Sequence, residues 1–224
     1  MERFEWLIEP RVGIWQDPAL GCFTEDSIAL VRFFAGKRGD RVLDIGTGNG
    51  VLCLYAQALY GGDYTGIDPD EAQLKLARRS AEQNGQAIAF FRMRAEDAPA
   101  AFGHGTFTHV LMNPPYFTAG DEGAHAAARH AQKTQLSDWC AAAFLLLKNG
   151  GTLTFCYPAA QLAAAFRALD GNRFAPKRMQ LIMGEAGARL VLIEAKKLGA
   201  DGVRITVAPK KRRQPPTDRG GILV

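Results

Sequence analysis

The sequence has few of the residues that mark secreted, membrane or metal-binding proteins. Its four cysteines form no Cys-x-x-Cys pair, and its four histidines have no ligand spacing with cysteine or with one another, so we expect neither disulfides nor a metal. The longest apolar runs, such as 141–147, are far shorter than a membrane span, and residues 1–5 do not begin a signal peptide. We therefore expect a cytoplasmic protein without membrane contact.

Excess charge is also scarce, except near the end of the chain. The net charge is only +4, but the stretch from Lys196 to Val224 holds eight basic residues and two acidic ones. This asymmetry favours either a polyanionic partner such as nucleic acid or a solvated tail that aids solubility, and both interpretations stay open.

Short apolar runs alternate along the chain with longer amphipathic runs, which predicts an α/β fold with a mostly parallel central sheet and helices on both faces. The predicted strands are 41–46, 64–68, 88–93, 107–112 and 152–157. Three more strands are predicted to close the sheet, the last two as an antiparallel hairpin: 179–183, 190–195 and 203–207.

The chain is predicted to have three parts. Residues 1–40 are expected to form a lid, extended or irregular over 1–21 and then helical over 24–34 beside the sheet. One main domain follows at 41–209, because no internal repeat or long linker interrupts it. Residues 210–224 are expected to form a basic tail.

The sharpest signal is a strand that turns through spaced glycines into a helix. Residues 42–50 read VLDIGTGNG, and glycines let the backbone approach a ligand closely. The spacing is Gly-x-Gly-x-Gly with Asp44 two residues upstream, whereas dinucleotide folds use Gly-x-Gly-x-x-Gly. Asp44 would repel a pyrophosphate but suits a positively charged amine, such as that of S-adenosylmethionine. A tight strand-to-helix turn without a ligand is the alternative.

Polar side chains follow the next three predicted strands. Asp68 ends the second strand, Asp97 follows the third and Asn113 follows the fourth. Ligands of open α/β sheets bind beyond the carboxyl ends of the strands, so these groups are predicted to meet the glycine turn at one edge. An acidic group at the place of Asp68 can accept hydrogen bonds from a ribose diol.

Together with these acidic groups, the glycine turn resembles the cofactor loop of class I S-adenosylmethionine-dependent methyltransferases, which have a Rossmann-like fold. The resemblance covers most of the chain and makes 41–209 the methyltransferase domain. It implies that Asp68 binds the ribose hydroxyls, that Asp97 binds the adenine amino group, and that the Gly46–Gly50 backbone passes under the methionine part.

The tetrapeptide Asn113-Pro114-Pro115-Tyr116 cannot continue as strand or helix because of its two prolines. It resembles the motif of enzymes that methylate a planar amino group in adenine, cytosine or glutamine. The side-chain oxygen of Asn113 and the carbonyl of Pro114 can hold both N–H bonds of such an amine, which favours a more nucleophilic nitrogen. Tyr116 and Phe117 could stack on a flipped base.

Three stretches resemble the bacterial tRNA (adenine-N6)-methyltransferases that modify the adenosine beside the anticodon of a valine tRNA: 21–30, 128–139 and 188–209. The first stretch implies further residues that line the cofactor, and the second holds Arg129, a candidate for phosphate contact. The cofactor-binding residues that the two resemblances imply are Phe23, Thr24, Asp26, Asp44, Gly46, Thr47, Gly48, Asn49, Gly50, Asp68, Asp97 and Asn113.

The predicted function is therefore methyl transfer from S-adenosylmethionine to adenine N6 in RNA, with tRNA as the expected partner. N5-methylation of a protein glutamine uses the same tetrapeptide, but enzymes of that kind carry a helical recognition domain, for which the forty residues before Arg41 are few. DNA adenine methylation and a non-catalytic cofactor-binding or RNA-binding module remain as alternatives. No feature of the sequence predicts the oligomeric state.

Overall fold

The computed structural model describes residues 1–114 and 126–209, except for the side chains of Ile8 and of 126–135. It confirms an α/β fold with a mostly parallel sheet. The strands are β1 (Arg3–Ile8), β2 (Arg11–Gln16), β3 (Arg41–Ile45), β4 (Asp63–Asp68), β5 (Ile88–Arg92), β6 (Phe107–Met112), β7 (Leu147–Pro158), β8 (Phe174–Gly184), β9 (Gly187–Lys197) and β10 (Arg204–Val207). The helices are α1 (Glu25–Phe33), α2 (Val51–Tyr60), α3 (Glu71–Gln83), α4 (Ala98–Phe102), α5 (Ala126–Leu146) and α6 (Leu162–Gly171).

The main sheet has the strand order β10-β8-β9-β7-β6-β3-β4-β5. From β3 the chain first builds outward through β4 and β5, and then returns to place β6 and β7 on the other side of β3, all in parallel. The direction in which successive strands are added to the sheet therefore reverses at β3. In open α/β sheets this reversal leaves a crevice at the carboxyl ends of the strands, where ligands bind.

The predicted hairpin between 190–195 and 203–207 is wrong. β9 instead forms an antiparallel hairpin with β8 through a two-residue turn, and it also pairs with β7 on its other side. Because both edges of β9 are occupied, β10 cannot pair with it. β10 crosses over and adds in parallel to the outer edge of β8.

Residues 1–21 are predicted to be extended or irregular, and the structure shows that two extended segments, β1 and β2, form a regular antiparallel hairpin. The ring of Phe4 lies where a Cβ on Gly13 would stand, at 2.0 Å, so this glycine makes room for an aromatic side chain rather than breaking the strand. The outer edge of β2 is held by α3, since the Gly13 and Trp15 amides donate to the side chains of Asn84 and Ser80, each at 2.9 Å.

Side chains of the central strands alternate between two buried cores, one on each face of the sheet. In β6, Val110 and Met112 belong to the core beneath α5 and α6, whereas Leu111 belongs to the core beneath α1 and α2. In β7, Phe155 lies on the α5 face and Cys156 on the α1 face. This alternation decides which side chains can meet beyond the strand ends.

Candidate active site

A cleft of about 450 Å³ opens where β3, β4 and β6 end. It is lined by several residues that the sequence predicts for the cofactor site: Phe23, Gly46, Thr47, Gly48, Asn49, Asp68 and Asn113. They come from the N-terminal segment, the loop after β3, the end of β4 and the residue after β6. The structure thus brings these distant parts of the sequence to the crevice at which the sheet reverses its order.

The glycine loop after β3 is tied down by the neighbouring strand. The amides of Gly46 and Thr47 both donate to the carbonyl of Ile67, at 2.9 and 3.0 Å. Gly48 has a φ of +53°, and a Cβ added there would meet nothing within 4 Å. The left-handed backbone at position 48 therefore favours glycine, and the open space beside it leaves room for a ligand against the loop.

Asp68 connects the loop to the end of β4. Its Oδ2 accepts from the Gly48 amide at 2.9 Å and its Oδ1 accepts from the Asp70 amide at 2.8 Å. Burial raises the pKa of this half-buried carboxyl, and the two backbone N–H groups oppose that rise. An ionised carboxylate has about four lone-pair positions, so Asp68 can still accept two hydrogen bonds from a ribose diol.

Asp44 lies beneath the loop and is wholly buried, and it is not among the residues that line the cleft. Its Oδ2 accepts from the Cys53 thiol at 3.8 Å, and its Oδ1 has no partner among the described residues. Burial raises the pKa of Asp44 to about 7; the Thr47 hydroxyl and the thiol lower it, and the carboxylate of Asp68 raises it further. A carboxylate with an unsatisfied oxygen under this loop fits a ligand that carries an ammonium group.

Asn113 forms the side of the cleft that faces away from β4. Its Nδ2 donates to Ser27 Oγ at 3.2 Å, and its Oδ1 accepts from the Cys156 thiol at 2.9 Å. Ser27 is in the first turn of α1 and also lines the cleft. The carboxamide is therefore fixed at both ends and stands at the ligand-binding edge of the sheet.

The other predicted cofactor residues do not line the cleft. Thr24 caps α1 by accepting from the Asp26 amide, and the buried carboxylate of Asp26 is paired with Arg189 at 2.7 Å. Gly50 is the N-cap of α2, and Asp97 is exposed at the end of a short 3₁₀ turn. None of these four residues is among those that line the cleft.

Several candidate residues fall outside the described part of the chain. Pro115, Tyr116 and Phe117 follow Pro114, the last described residue of the tetrapeptide, which is buried. The side chain of Arg129 and the basic tail at 210–224 are also outside it. Their roles stay predictions.

Other residues of the cleft were not predicted from the sequence. Gln73 of α3 lines it and donates from Nε2 to the Leu20 carbonyl at 2.6 Å, which ties the segment before α1 to the helix after Asp68. Trp139 also lines the cleft, and its ring lies 2.6 Å from where a Cβ on Gly46 would stand. No local motif marks these positions, because their partners are distant in sequence.

The described residues contain no group of three or more His, Cys, Asp or Glu side chains placed to hold a metal ion. Within the same part of the chain, no helix has the length and hydrophobicity to cross a membrane.

Comparison with known proteins agrees with this geometry. A family described as "Methyltransferase domain" matches residues 42–151. The tRNA1(Val) (adenine(37)-N6)-methyltransferase of Shewanella amazonensis is 30% identical over 175 residues, which is 75% of each chain. A protein of Methanocaldococcus jannaschii, provisionally named a protein N5-glutamine methyltransferase, is 29% identical over 98 residues, 44% of this chain and 48% of that one.

A solved structure extends the likeness to three dimensions. TrmN from Thermus thermophilus superposes with a TM-score of 0.63 at 26% identity, over 77% of this chain and 48% of its own. The cofactor of this fold family is S-adenosylmethionine, and structural neighbours contain that molecule or its demethylated product. The chain therefore belongs to the class I S-adenosylmethionine-dependent methyltransferases, in the family of the Shewanella enzyme.

Proposed function

We propose that this protein transfers the methyl group of S-adenosylmethionine to N6 of an adenine in RNA, and that the RNA is a tRNA. The observation that carries the proposal is the position of Asn113, which lines the same cleft as the glycine loop and Asp68. The proposal also agrees with the stated activity of the Shewanella relative. A tRNA substrate would place the protein in the cytoplasm, as the sequence predicts.

The residues on the β4 side of the cleft suit the cofactor. The remaining lone pairs of Asp68 would accept the ribose hydroxyls, and the open face of Gly48 would admit the methionine part. The buried charge of Asp44 would attract the ammonium group through the loop. Phe23 would pack against the cofactor, and the Asp97 carboxylate would accept a hydrogen bond from the adenine amino group.

The residues on the β6 side would hold the acceptor amine. One lone pair of Asn113 Oδ1 receives the thiol of Cys156, and the other would receive an N–H of adenine, while the Pro114 carbonyl would receive the second N–H. The bound cofactor supplies an electrophilic methyl group on a sulfonium. The amine held by Asn113 and Pro114 would take up this methyl group in exchange for one of its protons, which would pass to solvent. Positioning would provide most of the rate increase, so no strong base is required.

The proposed RNA contacts rest on charge and on the tetrapeptide. Tyr116 and Phe117 would stack on the flipped base, which is worth about 1–3 kcal/mol per base in other systems. Arg129 and the tail at 210–224 would contact phosphates. Because each phosphate contact releases counterions, binding should weaken steeply as salt is raised.

The test is transfer of labelled methyl groups to total tRNA from a strain that lacks the gene, followed by mass spectrometry of the nucleosides. Asn113→Ala serves as the impaired comparison, and DNA and total protein are offered as parallel acceptors. N6-methyladenosine in tRNA whose rate of formation falls sharply in Asn113→Ala would support the proposal. Label in DNA or in protein, with none in tRNA, would overturn the choice of acceptor.

A second candidate function is N5-methylation of a protein glutamine. It is favoured by the similarity to the Methanocaldococcus protein, and by the planar amide of glutamine, which Asn113 could hold in the same way as an adenine amine. Label recovered as N5-methylglutamine in the protein arm of the same assay would establish it.

A further inference from the structure

The register of the sheet places Asn113 next to Cys156. Leu111 pairs with Thr154 and Met112 pairs with Phe155, so the following positions on the two strands are Asn113 and Cys156. Since successive side chains point to opposite faces, both of these side chains emerge on the face covered by α1.

Ser27 approaches the same carboxamide from α1. Its hydroxyl oxygen accepts from Asn113 Nδ2 at 3.2 Å, while the Cys156 thiol donates to Oδ1 at 2.9 Å. Cys156 is wholly buried and is absent from the lining of the cleft, whereas Asn113 is half-buried and lines it. The thiol therefore supports the carboxamide from below and cannot itself be the group that touches the acceptor.

We infer that Ser27 and Cys156 are positioning residues that fix the plane of the Asn113 carboxamide, so that its oxygen presents one lone pair to the acceptor amine. The terminal torsion of asparagine is broad, so an unsupported carboxamide would rotate between orientations that offer oxygen or NH₂ to the ligand. An NH₂ group facing the acceptor amine would put donor against donor. This inference rests on the proposed function, in which Asn113 holds that amine.

The first test compares Cys156→Val, which keeps most of the side-chain volume without a donor, with Cys156→Ser, which keeps a donor. Cys140→Val is the matched control, since Cys140 is equally buried but lies in α5 beneath the other face of the sheet. The expected result is a fall of about tenfold or more in kcat for Cys156→Val, with the KM for cofactor unchanged. Cys156→Ser should recover most of the loss. A Cys156→Val enzyme as active as Cys140→Val would overturn the inference.

A double-mutant cycle separates positioning from general structural support. In an Asn113→Ala background, Cys156→Val should cause less than about a twofold further loss, because its effect passes through the missing carboxamide. A full tenfold further loss in that background would show that Cys156 acts through packing alone, and the inference would be rejected.

A second readout needs no acceptor. The side-chain amide resonances of Asn113 can be assigned in ¹H–¹⁵N spectra by their absence in Asn113→Ala. They should shift, and their protons should exchange faster, in Ser27→Ala and Cys156→Val but not in Cys140→Val. Unchanged resonances would refute the inference. A wild-type enzyme that methylates no tRNA would refute the proposed substrate, while these spectra would still decide the role of Ser27 and Cys156.

Discussion

Replacement of Asp44 by asparagine removes a carboxyl group that ionises with difficulty in the folded protein. Burial raises the pKa of Asp44 from 3.8 to about 7, so the folded protein binds this proton more tightly than the unfolded chain does. The stabilising effect of the bound proton is complete below the unfolded pKa and is lost as the pH rises toward 7. Wild-type stability should therefore decline across this range relative to Asp44→Asn.

The size of the effect follows from the two pKa values. Each unit of difference corresponds to about 1.4 kcal/mol, so between pH 5 and pH 8 a single group with these values changes the free energy of unfolding by roughly 2 to 3 kcal/mol. Contributions from all other titratable groups largely cancel, because the two proteins differ at one position. At pH 8 the variant should be the more stable protein.

Urea unfolding of both proteins at pH 5, 6, 7 and 8, at fixed ionic strength, measures this difference. Asp63→Asn, at an exposed position, is the control for loss of a carboxylate. A difference between wild type and Asp44→Asn that stays constant from pH 5 to pH 8 would refute the argument from burial. The same Asp44→Asn protein should bind S-adenosylhomocysteine up to about tenfold more weakly at pH 8, by calorimetry, if the carboxylate attracts the ammonium group.

Three other outcomes are expected. Gly46→Ala should weaken S-adenosylhomocysteine binding at least tenfold by calorimetry, since its Cβ would stand 2.6 Å from the Trp139 ring. In Gly48→Ala the added Cβ meets no atom within 4 Å. That variant should lose only about 1–2 kcal/mol of stability in urea unfolding, because alanine disfavours the left-handed backbone at this position. Burial lowers the pKa of His109, so protonation of this side chain opposes folding and wild type loses stability below about pH 6.5. His109→Gln should lose less free energy of unfolding than wild type between pH 7 and pH 5. Removal of 210–224 should reduce both tRNA affinity and the slope of log K against log salt; an unchanged slope would exclude the tail from phosphate contact.

The central strands could be predicted from the sequence because their signals are local. The predicted strand 107–112 coincides with β6, and 41–46 differs from β3 by one residue. Each is a short and mostly apolar run that is followed within two residues by glycine or proline, as expected for strands buried on both faces. The amino-acid pattern along such a strand is enough to define it.

Strand pairing was predicted less well, because it depends on partners that a local pattern does not specify. The patterns at 190–195 and 203–207 are compatible with a hairpin, but the side of β9 that β10 would need is taken by β8. At the N-terminus, Pro10 and Gly13 lie within the stretch 1–21, whose pairing as a hairpin was not predicted. Pro10 lies between the two strands of the hairpin, and Gly13 leaves the space that the Phe4 ring fills.

At the site, too, residues with a local sequence signal could be predicted, whereas those defined by distant contacts could not. Asp68 and Asn113 could be predicted because the first ends a strand and the second directly follows one, and the structure brings both to one cleft. Cys156 and Gln73 could not be, because their importance comes only from contacts with Asn113 and with the Leu20 carbonyl, far away in sequence. A motif identifies groups that touch a ligand more readily than the groups that hold them.

The reversal of strand order at β3 would separate the proposed cofactor side of the cleft from its proposed acceptor side. The loop after β3 is anchored toward β4, through the Ile67 carbonyl and Asp68, so the cofactor side is built by contacts on that side of the crevice. Asn113 is anchored in the opposite direction, through Cys156 of β7 and Ser27 of α1. Since the two sets of contacts share no residue, the carboxamide can be supported without disturbing the loop. That independence is the physical reason to expect that substitutions behind Asn113 change kcat while the affinity for cofactor is kept.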